Sequence, residues 1–150
     1  MDLESKIRSE YLDILGSQSI ADFNGDIKTH TVIKFDQYLK RKFPNETRFI
    51  EQNKYGRVYQ KMINKYWGGI GKNDTSFFQS FGVLKTISID KLKFYQPTVG
   101  INGPKYSSIN EPVLIIENDD VLILFEGYHR ILTKIELGIR DIQGFVLTLI

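Results

Sequence analysis

The chain has 150 residues, 41% of them hydrophobic and 25% charged, with a net charge of +2; this is ordinary globular composition, and so mild a charge does not demand a nucleic-acid partner. The absence of cysteine excludes disulfides, thiolate zinc sites and cysteine nucleophiles. No apolar run approaches the roughly 18 residues of a membrane span, and the charged start Met1-Asp2-Leu3-Glu4-Ser5-Lys6 lacks the apolar stretch of a signal peptide, so a cytoplasmic protein without a membrane partner is expected.

Upstream of residue 83 the pattern is mostly helical. Leu3, Ile7, Tyr11, Ile14 and Leu15 recur at helical spacing, and Gly16 is a plausible stop. Asn24-Gly25 marks a turn. A second helix is expected over Val32 to Lys42, ending before Pro44, and a third from Lys54 to Trp67. The loop Gly68-Gly69-Ile70-Gly71-Lys72-Asn73 resembles a phosphate loop but fails its pattern: Tyr66 stands at the first glycine and Asn73 at the Ser/Thr position. Lys40-Arg41-Lys42 is a short basic run, and His30 has no metal-binding neighbour in sequence.

Downstream the period shortens. Leu84 to Ile89 alternates as a strand does, and residues 97–110 read as a Gly/Pro-rich loop. Pro112 to Glu117 and Val121 to Phe125, joined by Asn118-Asp119-Asp120, form a hairpin. A helix follows from Tyr128 to Leu137, with Tyr128, Ile131, Leu132 and Ile135 inward and Gly138 as its stop. Gly144 to Leu149 is a last strand. The bias towards Ile, Lys, Asn and Tyr, with Ala21 the only alanine, is that of an AT-rich genome such as a low-GC bacterium or its phage.

The most informative stretch is Phe125-Glu126-Gly127-Tyr128-His129-Arg130. It reads as a strand end, a sharp turn at glycine and a helix with His and Arg in its first turn. The first N–H groups of a helix lack intrahelical partners and carry partial positive charge. A glycine lets a phosphate approach the backbone, and arginine adds a planar fork of donors.

Residues 85–150 resemble the ParB/sulfiredoxin superfamily. The resemblance rests on an ordered set: Ile87-Ser88-Ile89-Asp90-Lys91-Leu92, Gln96-Pro97, Glu111-Pro112-Val113-Leu114-Ile115, Glu126-Gly127-Tyr128-His129-Arg130, Leu137-Gly138 and Phe145-Val146-Leu147. Sulfiredoxins carry a cysteine where Tyr128 stands, so that activity is excluded here. Partition ParB proteins bind CTP and clamp DNA. They carry Gly-Glu-Arg-Arg at the motif, an arginine where Thr98 stands, and a downstream helix-turn-helix domain, so a partition role is not expected. They also place a helix after Gln-Pro, where residues 98–110 are short and Gly/Pro-rich, which implies a reshaped or partly lost pocket. The motif is most similar to that of ParB-like nucleases and free-serine kinases.

The resemblance implies a ParB/sulfiredoxin-like small mixed sheet with helices over residues 83–150; with the mostly helical region that the spacing gives over 1–82, the expected fold is α+β, the two forming one compact unit. It implies phosphate binding at Gly127, Tyr128, His129, Arg130 and Gln96, with ATP or another NTP as ligand. Glu126 and His129 are the candidate catalytic groups for phosphoryl transfer or NTP hydrolysis, and Glu126 would share a Mg2+ ion with substrate phosphates. The plainer alternatives are a surface ion pair of Arg130 with Glu126 or Glu136, a histidine that orders the turn, and a Tyr128 that packs. A second reading is a DNA-binding or nuclease module: Lys54, Arg57, Lys61 and Lys65 fall on one helix face beside Tyr55, Tyr59 and Tyr66. The simpler account of that face is a solvated amphipathic helix. A third is a catalytically inactive phage or mobile-element protein that binds a host partner; a homodimer is also open.

Overall fold

The computed structural model describes residues 2–21, 24–46, 48–67, 77–101 and 110–149. In chain order the elements are α1 (Leu3–Glu10), β1 (Leu15–Ala21), β2 (Ile27–Lys34), α2 (Phe35–Lys42), α3 (Gln52–Met62), α4 (Phe77–Phe81), β3 (Val83–Ser88), β4 (Leu92–Lys93), β5 (Thr98–Gly100), β6 (Val113–Asn118), β7 (Val121–Glu126), α5 (Tyr128–Glu136) and β8 (Asp141–Leu149). The chain is α+β, with five α-helices and two sheets among the described residues. It divides into two compact units, residues 1–47 with 96–107 and residues 48–95 with 108–150. Residues 48–82 group with the second unit because α3 and α4 pack on its sheet, and β5 groups with the first because it pairs with β2.

The first unit is not mainly helical. Its three-stranded sheet has the order β1-β2-β5. The helical spacing at the N-terminus holds for α1, which Asp2 caps by accepting from the Ser5 N–H at 2.7 Å. A 3₁₀ turn at Leu12–Ile14 then leads into β1 rather than to a stop at Gly16. The helix expected from Val32 begins at Phe35, because Val32 and Ile33 belong to β2, where they pair with Gly16 and Leu15. The β-branched run of β2 explains this, since such side chains favour a pleated surface over a helix. Arg41 clasps Asp13 at 2.6 Å and holds that exposed carboxyl below its ordinary pKa.

The second unit is built on a five-stranded mixed sheet of order β3-β8-β6-β7-β4. β6 and β7 form the expected hairpin, and both turn residues, Asp119 and Asp120, have positive φ (51° and 65°). That is the turn whose twist matches a two-residue hairpin, and aspartate tolerates it better than most residues. β8 returns parallel to β6, and β3 closes the sheet antiparallel to β8. Successive strand residues point to opposite faces. One face buries Leu114, Ile116, Ile123 and Leu147 with Val58 and Met62 of α3 and Phe78 of α4. Each such side chain contributes about 1.5–3 kcal/mol when fully buried. α3 spans most of the expected third helix and continues into a π-helical turn, Ile63–Trp67.

Val113, Ile115 and Val146 alternate with that set and face the other way. α5 buries Tyr128, Ile131 and Leu132 and begins against Val113. It ends as its sequence suggests: Gly138 has φ +73°, and its N–H donates to the Ile135 carbonyl at 3.1 Å. Arg48, only 5% exposed, donates to the Ile89 and Asp90 carbonyls and lies 3.5 Å from the Asp90 carboxylate, whose other oxygen accepts from Arg140 at 2.8 Å. This clamp fixes the 3₁₀ turn between β3 and β4.

Candidate functional site

β7 delivers the chain to Gly127, and α5 starts at the next residue. Gly127 has φ +110°, a conformation that side chains rarely adopt. A Cβ there would stand 2.5 Å from Val113 Cγ1 and 3.3 Å from Arg130 Nη2. The glycine is thus required twice, by its backbone angle and by the close approach of β6.

The other motif residues divide sharply in what they do. Tyr128 is buried, and its hydroxyl donates to the Leu124 carbonyl at 2.7 Å and accepts from the Tyr95 N–H at 3.0 Å. It locks the start of α5 onto β7 and onto the segment after β4. Arg130 Nη1 donates to the Glu111 and Pro112 carbonyls, 3.0 Å each, and lies 3.9 Å from a Glu111 carboxylate oxygen. The arginine therefore ties α5 to the entry of β6, and its carboxylate neighbour is Glu111 rather than the Glu126 or Glu136 that spacing suggests. Held so, its Nη2 lies beside the Gly127 turn. His129 is half-buried, and its carbonyl accepts from the Thr133 hydroxyl at 2.9 Å. Glu126 is exposed at the end of β7.

The helix start carries no side-chain cap. The N–H of Ile131 bonds back to the Gly127 carbonyl at 3.0 Å, which opens the hydrogen-bond ladder of α5. Lys134, one turn beyond Arg130 on the same side of the helix, is only 9% exposed. The i, i+4 spacing from Arg130 is the sequence signal that points to it. Gln96 belongs to the first unit, half-buried just before β5. The structure thus brings Glu126, Gly127, Tyr128, His129 and Arg130 together in one turn of the second unit.

The basic face is laid out as its spacing predicts. Lys54, Arg57, Lys61 and Lys65 are all exposed, the first three on α3 and the fourth on its π-helical turn. Lys61 donates to Asn118 Oδ1 at 3.0 Å, and Lys65 Nζ lies 5.2 Å from the Tyr66 ring centre. The neighbouring tyrosines serve the core. Tyr55 stacks on Tyr95 with ring centres 3.6 Å apart, Tyr59 stacks on Phe125 at 6.3 Å, and the Tyr66 hydroxyl donates to the Thr148 carbonyl at 2.8 Å. Burial is the main cause that pushes the Tyr55 phenol far above its ordinary pKa, with its hydrogen bond to Tyr95 next. Tyr95 carries no signal in the sequence; only its contacts with Tyr55, Phe125 and Tyr128 reveal it as the piece joining α3 to the Gly127 turn.

The phosphate-loop-like residues 68–73 and most of the Gly/Pro-rich stretch, 102–109, lie outside the described residues. Among the described residues no three His, Asp or Glu side chains gather as a metal cage. No helix there is long and apolar enough to cross a membrane. A scan against family models and searches of curated proteins and solved structures match nothing to this chain.

Proposed function

We propose that the second unit is a nucleotide-binding domain of ParB/sulfiredoxin-like kind, and that the Gly127 turn seats the phosphates of ATP or another NTP. The observation that carries the reading is the held fork. Two backbone carbonyls fix Arg130 Nη1 and leave Nη2 beside the Gly127 turn. A phosphate there would meet the positive end of the α5 dipole and a guanidinium already held in place.

Catalysis, if the ligand reacts, would be electrostatic. The helix start and Arg130 stabilise charge on the phosphoryl oxygens. His129 and Glu126, in and just before the same turn, would be the groups that move the proton. Glu126 is a single exposed carboxylate, so it suits a Mg2+ ion shared with ligand phosphates rather than a cage made of protein alone.

The test is calorimetric titration with ATP, CTP, GTP and UTP in the presence of Mg2+. Wild type binds at least one of them, and Arg130→Lys, folded by circular dichroism, binds it at least tenfold more weakly. Binding of equal strength by both chains, or by neither, removes the proposal.

A DNA-binding module is the second reading, favoured by the exposure of all four basic residues along α3. It predicts DNA affinity that falls steeply with salt and is weakened by Lys54→Glu with Arg57→Glu.

A further inference from the structure

Two charged side chains are buried among the described residues, and both are cations: Arg48, 5% exposed, and Lys134, 9% exposed. A buried charge is costly unless it is paired. Arg48 meets that condition, with two carbonyls and the Asp90 carboxylate around it. Lys134 does not: among the described residues no carbonyl, side-chain acceptor or carboxylate bonds its ammonium. The ammonium is also not sealed within the core, so a ligand can reach it. Its aim is set by the helix. Lys134 lies four residues after Arg130, so the two share one flank of α5, about 6 Å apart along the axis. Side chains on a helix lean towards its N-terminus. The Lys134 stem therefore runs back towards the Arg130 turn, away from the C-terminal carbonyls that would otherwise favour a cation.

We propose that Lys134 is a second phosphate ligand of the Gly127 site, and that the site therefore selects a di- or triphosphate over a monophosphate. This rests on the reading of that turn as a phosphate seat. Arg130 Nη2, beside Gly127, takes one phosphate group, and the Lys134 ammonium takes the next along the chain. Arg130 is pinned by the Glu111 and Pro112 carbonyls, and the Lys134 stem by its burial. The two heads thus stand at two places rather than closing on one group. The ligand brings the anion that the fold withholds, and until it binds the lysine is a cost to stability.

Lys134→Met keeps the stem and removes the charge, and two measurements read the result. Without ligand, Lys134→Met should raise the urea midpoint of unfolding, because an uncompensated charge is gone. In calorimetric titrations with inorganic tripolyphosphate and with orthophosphate, wild type should bind tripolyphosphate at least tenfold more tightly, and Lys134→Met should lose that preference. Lys91→Met, which removes an exposed charge of the same unit, should change neither measurement. Tripolyphosphate binding that is weakened by Arg130→Lys but indifferent to Lys134→Met would overturn this inference and leave the Gly127 seat standing. A free chain destabilised by Lys134→Met would mark the lysine as structural and overturn it as well. Wild type that binds neither anion would overturn both the inference and the seat.

Discussion

The Gly127 turn and the outer face of α3 are both legible in sequence as candidate sites, yet they are built in opposite ways. In the turn, Gly127 accommodates Val113, Tyr128 bonds Leu124 and Tyr95, and Arg130 ties α5 to the start of β6. On α3, Lys54 and Arg57 stand exposed, and only Lys61 reaches across to another element, at Asn118. A residue that the fold already uses is held in place without a ligand, which is the condition for a preorganised site. It also means that loss of function on its mutation can be loss of fold. An exposed cation carries no such ambiguity, but its geometry says little about what it meets.

Substitutions can separate the two regions, and the largest effect falls in the turn. Gly127→Ala should destabilise the protein by about 3 kcal/mol, from positive-φ strain and the clash with Val113, read by urea unfolding. Tyr128→Phe leaves the Leu124 carbonyl and the Tyr95 N–H without the hydroxyl and should cost about 1–3 kcal/mol. Tyr55 tests the join between α3 and the turn. Its folded pKa is raised, so its contribution to stability is complete below the unfolded value of about 10 and is lost as pH rises above it. Unfolding midpoints should fall above that pH in wild type and fall less in Tyr55→Phe. Glu126→Gln should change stability by under about 0.5 kcal/mol while slowing any phosphoryl transfer. Lys54→Glu with Arg57→Glu should be equally neutral to stability, and should leave nucleotide binding intact. A double variant that abolished nucleotide binding would move the site to α3.

The second unit is readable because its signals are local. β6, the Asp119-Asp120 turn, β7 and α5 each follow from apolar runs, turn residues and a glycine stop that lie within a few positions of one another. The β1–β2 hairpin is hidden because most of it is exposed, so no apolar alternation marks it; only Val32 and Ile33 of β2 are buried. The Thr29-His30-Thr31-Val32-Ile33 run after Asn24-Gly25 is the available clue, and helical spacing masks it. Arg48 gives no signal at all. Its partners lie more than forty residues away, in a turn that only the sheet brings near. Within the site, Gly127 and Arg130 stand out in the sequence, but the carbonyls that hold Arg130 and the hydroxyl task of Tyr128 depend on how β6 and β7 pair.

The central claim is that a phosphate sits on the first turn of α5, and backbone amide shifts of isotope-labelled protein test it most directly. On addition of a nucleoside triphosphate with Mg2+, the largest changes should fall on the N–H groups of Gly127, Tyr128, His129 and Arg130, with Lys54 and Arg57 unmoved. Shifts centred on α3, or no shift at any nucleotide concentration, would contradict it.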